Sequence, residues 1–266
     1  MSTSILLVGC GKMGSALLAG WIERGIAATA VKVVEPGQPK VPHGVAVFPS
    51  LAAVPADFAP DVVVLAVKPQ VMAEVAPPYA RFAGSAVFLS IAAGKTLAFF
   101  ARALGDKAAL VRAMPNTPAA VQRGITVCVA NPLVDSNRRA ACQTLLEAVG
   151  EVAWVEDEAL IDAVTAVSGS GPAYVFLLAE TLAAAGKAAG LPDDLATRLA
   201  RATVAGSGEL LRQSAETSAQ LRINVTSPGG TTAAALAVLM DDRAGFGPLL
   251  ERAIDAATKR SRELAG

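Results

Sequence analysis

The sequence has few of the residues that most often build metal centres and covalent catalytic sites. Its 266 residues include one histidine, His43, and three cysteines, Cys10, Cys128 and Cys142. One histidine in a predicted loop argues against a histidine-based metal centre or a catalytic triad. Three scattered cysteines fit neither a disulfide framework nor a metal site, and they indicate a reducing compartment. We expect a cytoplasmic protein without a bound metal.

Net charge and long apolar runs are missing as well. The chain has 23 basic and 23 acidic residues, which gives no reason to expect a nucleic-acid partner. The 18 residues from Ile223 to Met240 carry no charge, but a Ser-Pro-Gly-Gly turn interrupts them. Because a membrane-spanning helix needs about 20 mainly apolar residues, we expect no membrane contact.

A glycine motif near the start of the sequence is its most informative feature. The apolar run Ile5 to Val8 leads into Gly9, Gly11 and Gly14, spaced as G-x-G-x-x-G, and apolar residues at helical spacing follow. In a strand–turn–helix unit these glycines allow the tight turn, the approach of a pyrophosphate and close helix packing. The pattern predicts a dinucleotide site, and the alternative is a glycine-rich turn without a ligand.

An acidic residue follows the second predicted strand, which begins at Val31. Glu35 stands 21 positions after Gly14, and an acidic side chain roughly 20 residues on can accept hydrogen bonds from the adenosine ribose. It would also repel a 2′-phosphate, which favours NADH. The alternative is a solvent-facing Glu35, with Lys40 or another basic residue receiving the phosphate of NADPH.

Further apolar strands alternate with helices up to Val155, which predicts a largely parallel, doubly wound sheet of the Rossmann type. Ligands bind outside the carboxyl ends of the strands in such sheets. Three segments follow strands in this way: Ala66-Val67-Lys68-Pro69, the small residues Ala92-Ala93-Gly94, which would allow a nicotinamide or ribose to approach, and the stiff loop around Asn116. Lys68 either meets the ligand or reaches water.

Strand signals stop after Glu156, so we predict a dinucleotide-binding domain over residues 1–156 and a helical domain over residues 157–266. Asp157, Glu158 and Asp162 are placed in the first turns of a helix, where carboxylates favour the helix dipole. The stretch from Ala163 to Ala179 carries no charge. Such a helix must be buried all round, and we infer that a second subunit covers it.

A second turn in the helical half predicts another anion site. Ser227-Pro228-Gly229-Gly230 leads into an alanine-rich helix beginning with Thr231 and Thr232. The free backbone amides at such a helix start suit a small carboxylate. The alternative is a capped helix without a ligand.

These segments together resemble the pyrroline-5-carboxylate reductase family. The resemblance rests on Gly9-Cys10-Gly11-Lys12-Met13-Gly14, Ala66 to Pro69, Ser90 to Gly94, Arg112 to Pro118, Ser168-Gly169-Ser170-Gly171-Pro172-Ala173-Tyr174 and Ser227 to Thr232. It implies NAD(P)H-dependent reduction of 1-pyrroline-5-carboxylate to L-proline. It also implies an all-helical C-terminal domain that forms a homodimer, in many members a ring of dimers. Glu35-Pro36 stands where many members have small or hydroxyl residues, so NADPH and NADH both remain candidates.

The resemblance also implies the site residues. Thr232 is assigned to catalysis through the ring nitrogen, and Ser227, Gly229, Gly230, Thr231, Thr232 and Glu216 to the substrate. The cofactor is assigned to Gly9, Gly11, Lys12, Met13, Gly14, Glu35, Ala66, Val67, Lys68, Pro69, Ala92, Ala93, Gly94 and Asn116.

Two other functions fit parts of the sequence. A β-hydroxyacid dehydrogenase would resemble this chain in its dinucleotide domain, but such enzymes have a catalytic lysine on the first helix of the second domain. No lysine lies between Ala163 and Ala179. A nucleotide sensor without turnover would not need the second anion site.

Overall fold

The computed structural model describes residues 3–265, and their first part forms one eight-stranded sheet. The strand order is β3-β2-β1-β4-β5-β6-β7-β8, and every neighbouring pair is parallel except β6 and β7. The predicted largely parallel sheet is therefore confirmed. The strands are β1 Ile5–Val8, β2 Val31–Val34, β3 Ala46–Phe48, β4 Val62–Leu65, β5 Val87–Ser90, β6 Ala109–Met114, β7 Gly124–Ala130 and β8 Gly150–Trp154.

Helices cover both faces of the sheet, as a doubly wound fold requires. The helices are α1 Lys12–Glu23, α2 Met72–Val75, α3 Leu97–Leu104 and α4 Ser136–Glu147. Leu17 of α1 and Leu145 of α4 share one core cluster with alternate strand residues. Met72 of α2 and Phe100 of α3 belong to the cluster on the other face. The continuous valine and leucine runs of the central strands are buried because apolar layers lie on both sides.

After β8 the described chain is helical, which confirms the predicted helical C-terminal region. A π-helical segment, Thr165–Gly169, separates the first two helices, and Pro172 lies in the first turn of the second. The helices are α5 Leu160–Val164, α6 Gly171–Ala188, α7 Asp193–Gln213, α8 Ser218–Asn224, α9 Thr231–Leu239 and α10 Phe246–Ala265.

By internal contacts the chain divides into two compact units. The first, Met1–Gly169 with Ala257–Gly266, is called the nucleotide unit below, and the second, Ser170–Ala256, is called the helical unit. The contact boundary thus falls after the π-helical segment, and the last residues of α10 belong to the nucleotide unit. The domain boundary at residue 156 stays a prediction, and residues 1, 2 and 266 of the predicted domains lie outside the described range.

The helix run Leu160–Ala188 is long and apolar enough to cross a membrane by length and composition alone. Little of it is buried within the chain. In α6 the side chains of Val175, Phe176, Leu177 and Leu182 are all exposed. A large exposed apolar surface of this kind marks an interaction site.

Candidate active site

The three glycines after β1 have three different surroundings. Gly9 has φ +92°, and a Cβ built on it would lie 2.8 Å from the backbone nitrogen of Val67. A Cβ on Gly14 would lie 2.5 Å from the carbonyl oxygen of Gly9, because helix α1 packs directly on the turn. A Cβ on Gly11 would meet nothing within 4 Å. Gly9 and Gly14 are therefore required by the fold, whereas Gly11 leaves the backbone open to an approaching group.

This open backbone fits a dinucleotide pyrophosphate. Gly11 is the N-cap residue of α1, so the first amides of the helix have no intrahelical partner. Lys12 and Met13, which we predicted to contact the cofactor, are the first two residues of that helix, and Lys12 is exposed. An anion at such a helix start is stabilised by both the amides and the helix dipole.

The carboxylate of Glu35 connects the turn after β2 to the glycine turn after β1. Its Oε2 accepts a hydrogen bond of 2.9 Å from the Cys10 amide, and its Oε1 accepts one of 3.3 Å from the Gly37 amide. The Ser15 hydroxyl donates to the Cys10 carbonyl at 2.9 Å. The sequence spacing predicts Glu35 at the end of the strand beside β1, and the structure places it there with both oxygens used.

The other predicted cofactor residues follow neighbouring parallel strands. Ala66-Val67-Lys68-Pro69 follow β4, Ala92-Ala93-Gly94 follow β5, and Asn116 follows β6. Because β1, β4, β5 and β6 are parallel neighbours, these segments lie at one edge of the sheet. The Lys68 side chain is exposed, and the Asn116 Oδ1 accepts a hydrogen bond of 3.0 Å from the Ile125 amide. Asn116 therefore has a structural contact besides any contact with a ligand.

The turn before α9 has the geometry of an anion site in the helical unit. The Gly230 amide donates to the Ser227 carbonyl at 3.0 Å, and Gly229 has φ +68°, a conformation that glycine adopts without strain. Gly230 is the N-cap residue and has no side chain to cap the helix, and the first helical bond joins the Ala234 amide to the Gly230 carbonyl at 3.2 Å. The amides of Thr231 and Thr232 precede that bond, so they have no partner within the helix.

Glu216 is connected to this turn through one side chain. Its Oε2 accepts a hydrogen bond of 3.0 Å from the Asn224 Nδ2, and the Asn224 Oδ1 accepts one of 2.8 Å from the Gln220 side chain. Asn224 is the last residue of α8 and directly precedes the segment that leads into Ser227. The structure thus links Glu216 to the end of α8, three residues before Ser227.

The Ser-Gly-Ser-Gly-Pro segment has a packing role at its start. The Ser168 hydroxyl donates to the Val164 carbonyl at 3.0 Å, so the hydroxyl is satisfied within its own helix. A Cβ on Gly169 would lie 2.5 Å from the methyl carbon of Met114, at the end of β6. A larger residue at this position would require the flexible end of the Met114 side chain to move.

The thiols of Cys128 and Cys142 are poor nucleophiles. Burial raises the pKa of the Cys142 thiol to about 12, and burial also raises the pKa of the Cys128 thiol, with Cys142 adding to the shift. A thiol rather than a thiolate is therefore present at neutral pH. Among residues 3–265, no group of three or more histidine, cysteine, aspartate or glutamate side chains is placed to hold a metal ion.

The sequence-based assignment of functional residues does not include one charged pair that the structure shows. The buried Arg112 of β6 contacts Glu158, which the sequence pattern assigns to a helix N-terminus. Arginine is almost never buried without a partner. The signal was present in the sequence as a single charge inside the otherwise apolar strand Ala109–Met114, and only the partner had to come from the structure.

The arrangement therefore offers an open glycine turn and a row of strand ends in the nucleotide unit, and a glycine-capped helix start in the helical unit. The first fits a dinucleotide, and the second fits a small carboxylate.

Comparison with known proteins gives the same family over the whole chain. A family model described as pyrroline-5-carboxylate reductase dimerisation matches residues 158–264, and one described as NADP oxidoreductase, coenzyme F420-dependent, matches residues 4–94. The pyrroline-5-carboxylate reductase of Pseudomonas aeruginosa is 41% identical over 272 residues, which cover 100% of this chain and 98% of that protein.

Two solved structures extend the likeness to the fold. A pyrroline-5-carboxylate reductase from Coxiella burnetii has a TM-score of 0.90 at 32% identity, and the match covers 100% of both chains. The pyrroline carboxylate reductase of Plasmodium falciparum, solved with NADP bound, has a TM-score of 0.82 at 29% identity and is matched over 99% of this chain and 98% of its own. Because the Pseudomonas aeruginosa protein is 41% identical over 100% of this chain, the chain belongs to the pyrroline-5-carboxylate reductase family.

Proposed function

We propose that this protein reduces 1-pyrroline-5-carboxylate to L-proline with NADPH or NADH, the last step of proline biosynthesis. Family membership supports the reaction, and one structural observation supports it in this chain. That observation is the glycine-capped start of α9, where Gly230 leaves the amides of Thr231 and Thr232 without an intrahelical partner. A substrate with a small carboxylate fits such a group of donors.

The residues of this turn divide into two roles. The amides from Gly229 to Thr231, together with Ser227, bind the substrate carboxylate. The Thr232 hydroxyl contacts the ring nitrogen, whose charge changes during the reaction. Glu216 supports the turn through Asn224, which it contacts at 3.0 Å.

The chemistry requires little from the side chains. The cyclic imine is an electrophile once its nitrogen is protonated, and the bound dihydronicotinamide supplies a hydride to the ring carbon. The protein contributes by holding the carboxylate so that the ring is in line for transfer. It also stabilises the nitrogen through a fixed hydroxyl donor or acceptor, in a position that needs no reorganisation.

The cofactor is assigned to the nucleotide unit. We propose that Gly9, Gly11, Lys12, Met13 and Gly14 surround the pyrophosphate. Glu35 contacts the adenosine ribose and favours NADH, because a carboxylate beside the Cys10 amide would repel a 2′-phosphate. The segments Ala66 to Pro69 and Ala92 to Gly94, with Asn116, line the path toward the nicotinamide.

The assembly follows from the exposed face of α6. Phe176 is 67% exposed in the single chain, although α6 carries no charge before Glu180. We propose that a second copy covers this face in a homodimer, which is a basis for a ring of dimers. Coverage of this face by protein would leave no apolar surface for a membrane, and we propose a cytoplasmic homodimer. The balanced charge of the chain supports the expectation that it does not bind nucleic acid.

The test measures nicotinamide absorbance with 1-pyrroline-5-carboxylate as substrate. Thr232→Ala should lower kcat roughly 10- to 100-fold, since one lost hydrogen bond to a charged group costs about 1–3 kcal/mol. Thr232→Ser keeps the hydroxyl and should restore most of the rate. Thr144→Ala removes a helix hydroxyl that bonds the Ala140 carbonyl, far along the chain in α4, and serves as the matched control.

Two outcomes would contradict the proposal. Full turnover by Thr232→Ala removes Thr232 from the mechanism. Binding of NADH or NADPH by the wild-type protein without any reduction of the imine would instead support a nucleotide sensor.

A further inference from the structure

A buried arginine in the sheet of the nucleotide unit pairs with an acidic side chain. The Arg112 side chain is 6% exposed, and its Nη1 lies 2.7 Å from the Glu158 Oε1. Arg112 stands opposite Ser90, the last residue of β5, in the parallel register of β5 and β6. The guanidinium group therefore lies on the strand next to the segment that leads from β5 toward α3.

The same carboxylate oxygen holds the start of α3. The Glu158 Oε1 accepts a hydrogen bond of 2.8 Å from the Leu97 amide, besides the bond from Arg112. Leu97 is the first residue of α3, and the segment before it is Ala92-Ala93-Gly94-Lys95-Thr96. One acidic side chain thus connects β6 to the end of the loop that we assign to the nicotinamide half of the cofactor.

The same loop also lies close to helix α10 at Gly94. Gly94 has φ +70°, and a Cβ built there would lie 3.2 Å from the carbonyl oxygen of Leu264, in the last turn of α10. That turn is held in turn by Asp162, whose Oδ1 accepts a hydrogen bond of 2.7 Å from the Ser261 hydroxyl. The Asp162 Oδ2 also lies 4.0 Å from the Arg262 Nε.

These holding residues share an origin in the sequence. Glu158, Asp162, Ser261 and Leu264 all lie within residues 158–264, which match the dimerisation family model. The loop they contact begins in the part matched by the oxidoreductase model, which ends at residue 94. The first and last residues of the dimerisation region therefore contact the cofactor side of the nucleotide unit.

We propose that Glu158 is a positioning residue for the nicotinamide half of the cofactor. Through the Leu97 amide it fixes the Ala92–Thr96 loop, while Arg112 fixes Glu158. This inference rests on the proposed function only in its assignment of that loop to the cofactor. The side-chain contacts of Glu158 among the described residues involve Leu97 and Arg112 and neither the glycine turn nor Glu35, to which we assign the adenosine half, so binding of that half should be unaffected by its loss.

The experiment compares two ligands on one variant. Glu158→Ala removes the acceptor for Leu97, and binding of NADH is measured by its fluorescence without any substrate. Binding of ADP-ribose, which lacks the nicotinamide, is measured by competition. We expect the NADH Kd to rise about 10-fold while the ADP-ribose Kd stays within twofold, and kcat to fall roughly 10- to 100-fold, since misplacement by about 1 Å can cost 100-fold in rate. If NADPH proves the better cofactor, NADPH and 2′-phospho-ADP-ribose take their places.

Two further variants keep the result interpretable. Glu158→Ala leaves a buried guanidinium unpaired and can fail to fold. The double variant Arg112→Met with Glu158→Ala removes that charge and still lacks the loop contact, so it should show the same selective loss of NADH binding. Glu158→Gln keeps an acceptor oxygen for the Leu97 amide and should regain part of the NADH affinity.

The matched control is Glu156→Ala. Glu156 lies two residues away and forms an exposed ion pair with Arg139 at 3.5 Å, with no contact to the loop. It should leave both Kd values and kcat unchanged.

The proposal is overturned if the folded double variant binds NADH and turns over as the wild type does. It is equally overturned if NADH and ADP-ribose weaken together, because Glu158 would then act only on overall stability. A wild-type protein that binds NADH but does not reduce the imine would refute the proposed function and leave this binding comparison intact.

Discussion

The two units of the chain differ sharply in how far a single copy completes them. In the nucleotide unit, strand residues such as Leu7, Val64 and Leu89 are fully buried between helices on both faces. In the helical unit, Ala196 and Ala200 are the only apolar residues among those described that are buried to a similar extent. Both units are rich in Ala, Val and Leu, so composition does not explain the difference.

This difference in burial depends on whether the residues that cover an apolar surface come from the same chain. A parallel sheet receives its covering helices from its own chain, because each crossover places one on a face. The helices of the other unit have no such layer, and α6 carries its apolar residues on more than one side. A single chain therefore completes one core and leaves the apolar surface of α6 exposed.

The largest expected effect is on assembly. Phe176→Asp places a charge on the uncharged face of α6 and should convert the dimer to a monomer, with activity reduced to near the detection limit. Sedimentation velocity measures the change. Val121→Asp is the matched control, because Val121 is 69% exposed in the nucleotide unit and Phe176 is 67% exposed. Dissociation of both variants, or of neither, would remove the contrast between the units.

The next effect separates two glycines within the nucleotide unit. Gly14→Ala forces a Cβ to within 2.5 Å of the Gly9 carbonyl and should lower the free energy of unfolding by about 1–3 kcal/mol. Gly11→Ala meets no atom within 4 Å, so it should leave stability unchanged and weaken cofactor binding. Urea denaturation and NADH fluorescence distinguish the two. Equal loss of stability in both variants would mean that Gly11 is also a packing glycine.

A smaller effect concerns the choice of cofactor. Glu35→Gln keeps an acceptor for the Cys10 amide but removes the negative charge. The ratio of kcat/KM for NADPH to that for NADH should rise about 10-fold, which corresponds to about 1.4 kcal/mol. Glu74→Gln in α2 makes the same change of a carboxylate to an amide and serves as the control. A wild-type protein that already prefers NADPH strongly would show that Glu35 does not exclude the 2′-phosphate.

The last effect, which vanishes at neutral pH and grows only above pH 9, is the pH dependence of stability that arises from the sheet core. Burial raises the pKa of the Cys142 thiol from 9.0 to about 12. Below pH 9 the thiol is protonated in both the folded and the unfolded chain, and its contribution to stability is complete. Between pH 9 and 12 only the unfolded chain releases the proton, so the free energy of unfolding falls by at most about 1.4 kcal/mol per pH unit for this group.

Urea denaturation at pH 8, 9, 10 and 11 measures this slope. Cys142→Ala should flatten it, with a modest loss of stability at pH 7 from the smaller side chain. An identical slope in both proteins would assign the alkaline loss to other groups, among them Tyr79, whose pKa burial raises to about 12.

Much of the nucleotide unit was predictable because its signals are local. Apolar runs predict buried strands, and the run Ile5 to Val8 and the strand that begins at Val31 are found as predicted. Thr96 and Asp135, which are residue types that favour the N-cap position, cap α3 and α4, and each accepts a hydrogen bond from an amide of the first turn. The glycine spacing predicts three separate roles, and the surroundings of Gly9, Gly11 and Gly14 agree with them.

The contacts that the sequence did not predict join residues that are far apart along the chain. Arg112 and Glu158 are separated by 46 positions, and Gly94 meets a carbonyl near the C-terminus. Local pattern places Glu158 at the dipole of its own helix, but a buried guanidinium is the stronger attraction. No local rule selects the partner of a buried charge, since that depends on how the chain returns to the sheet.

The bond from Glu35 to the Cys10 amide constrains attempts to exchange one nicotinamide coenzyme for another. The Glu35 carboxylate also stabilises the glycine turn at which the phosphates would bind. Replacement of Glu35 by the shorter serine would remove the repulsion of the 2′-phosphate. It would also leave the Cys10 amide without its acceptor. An engineer who wishes to retune this enzyme should therefore begin with an isosteric amide and add phosphate-binding residues on the neighbouring loop afterwards.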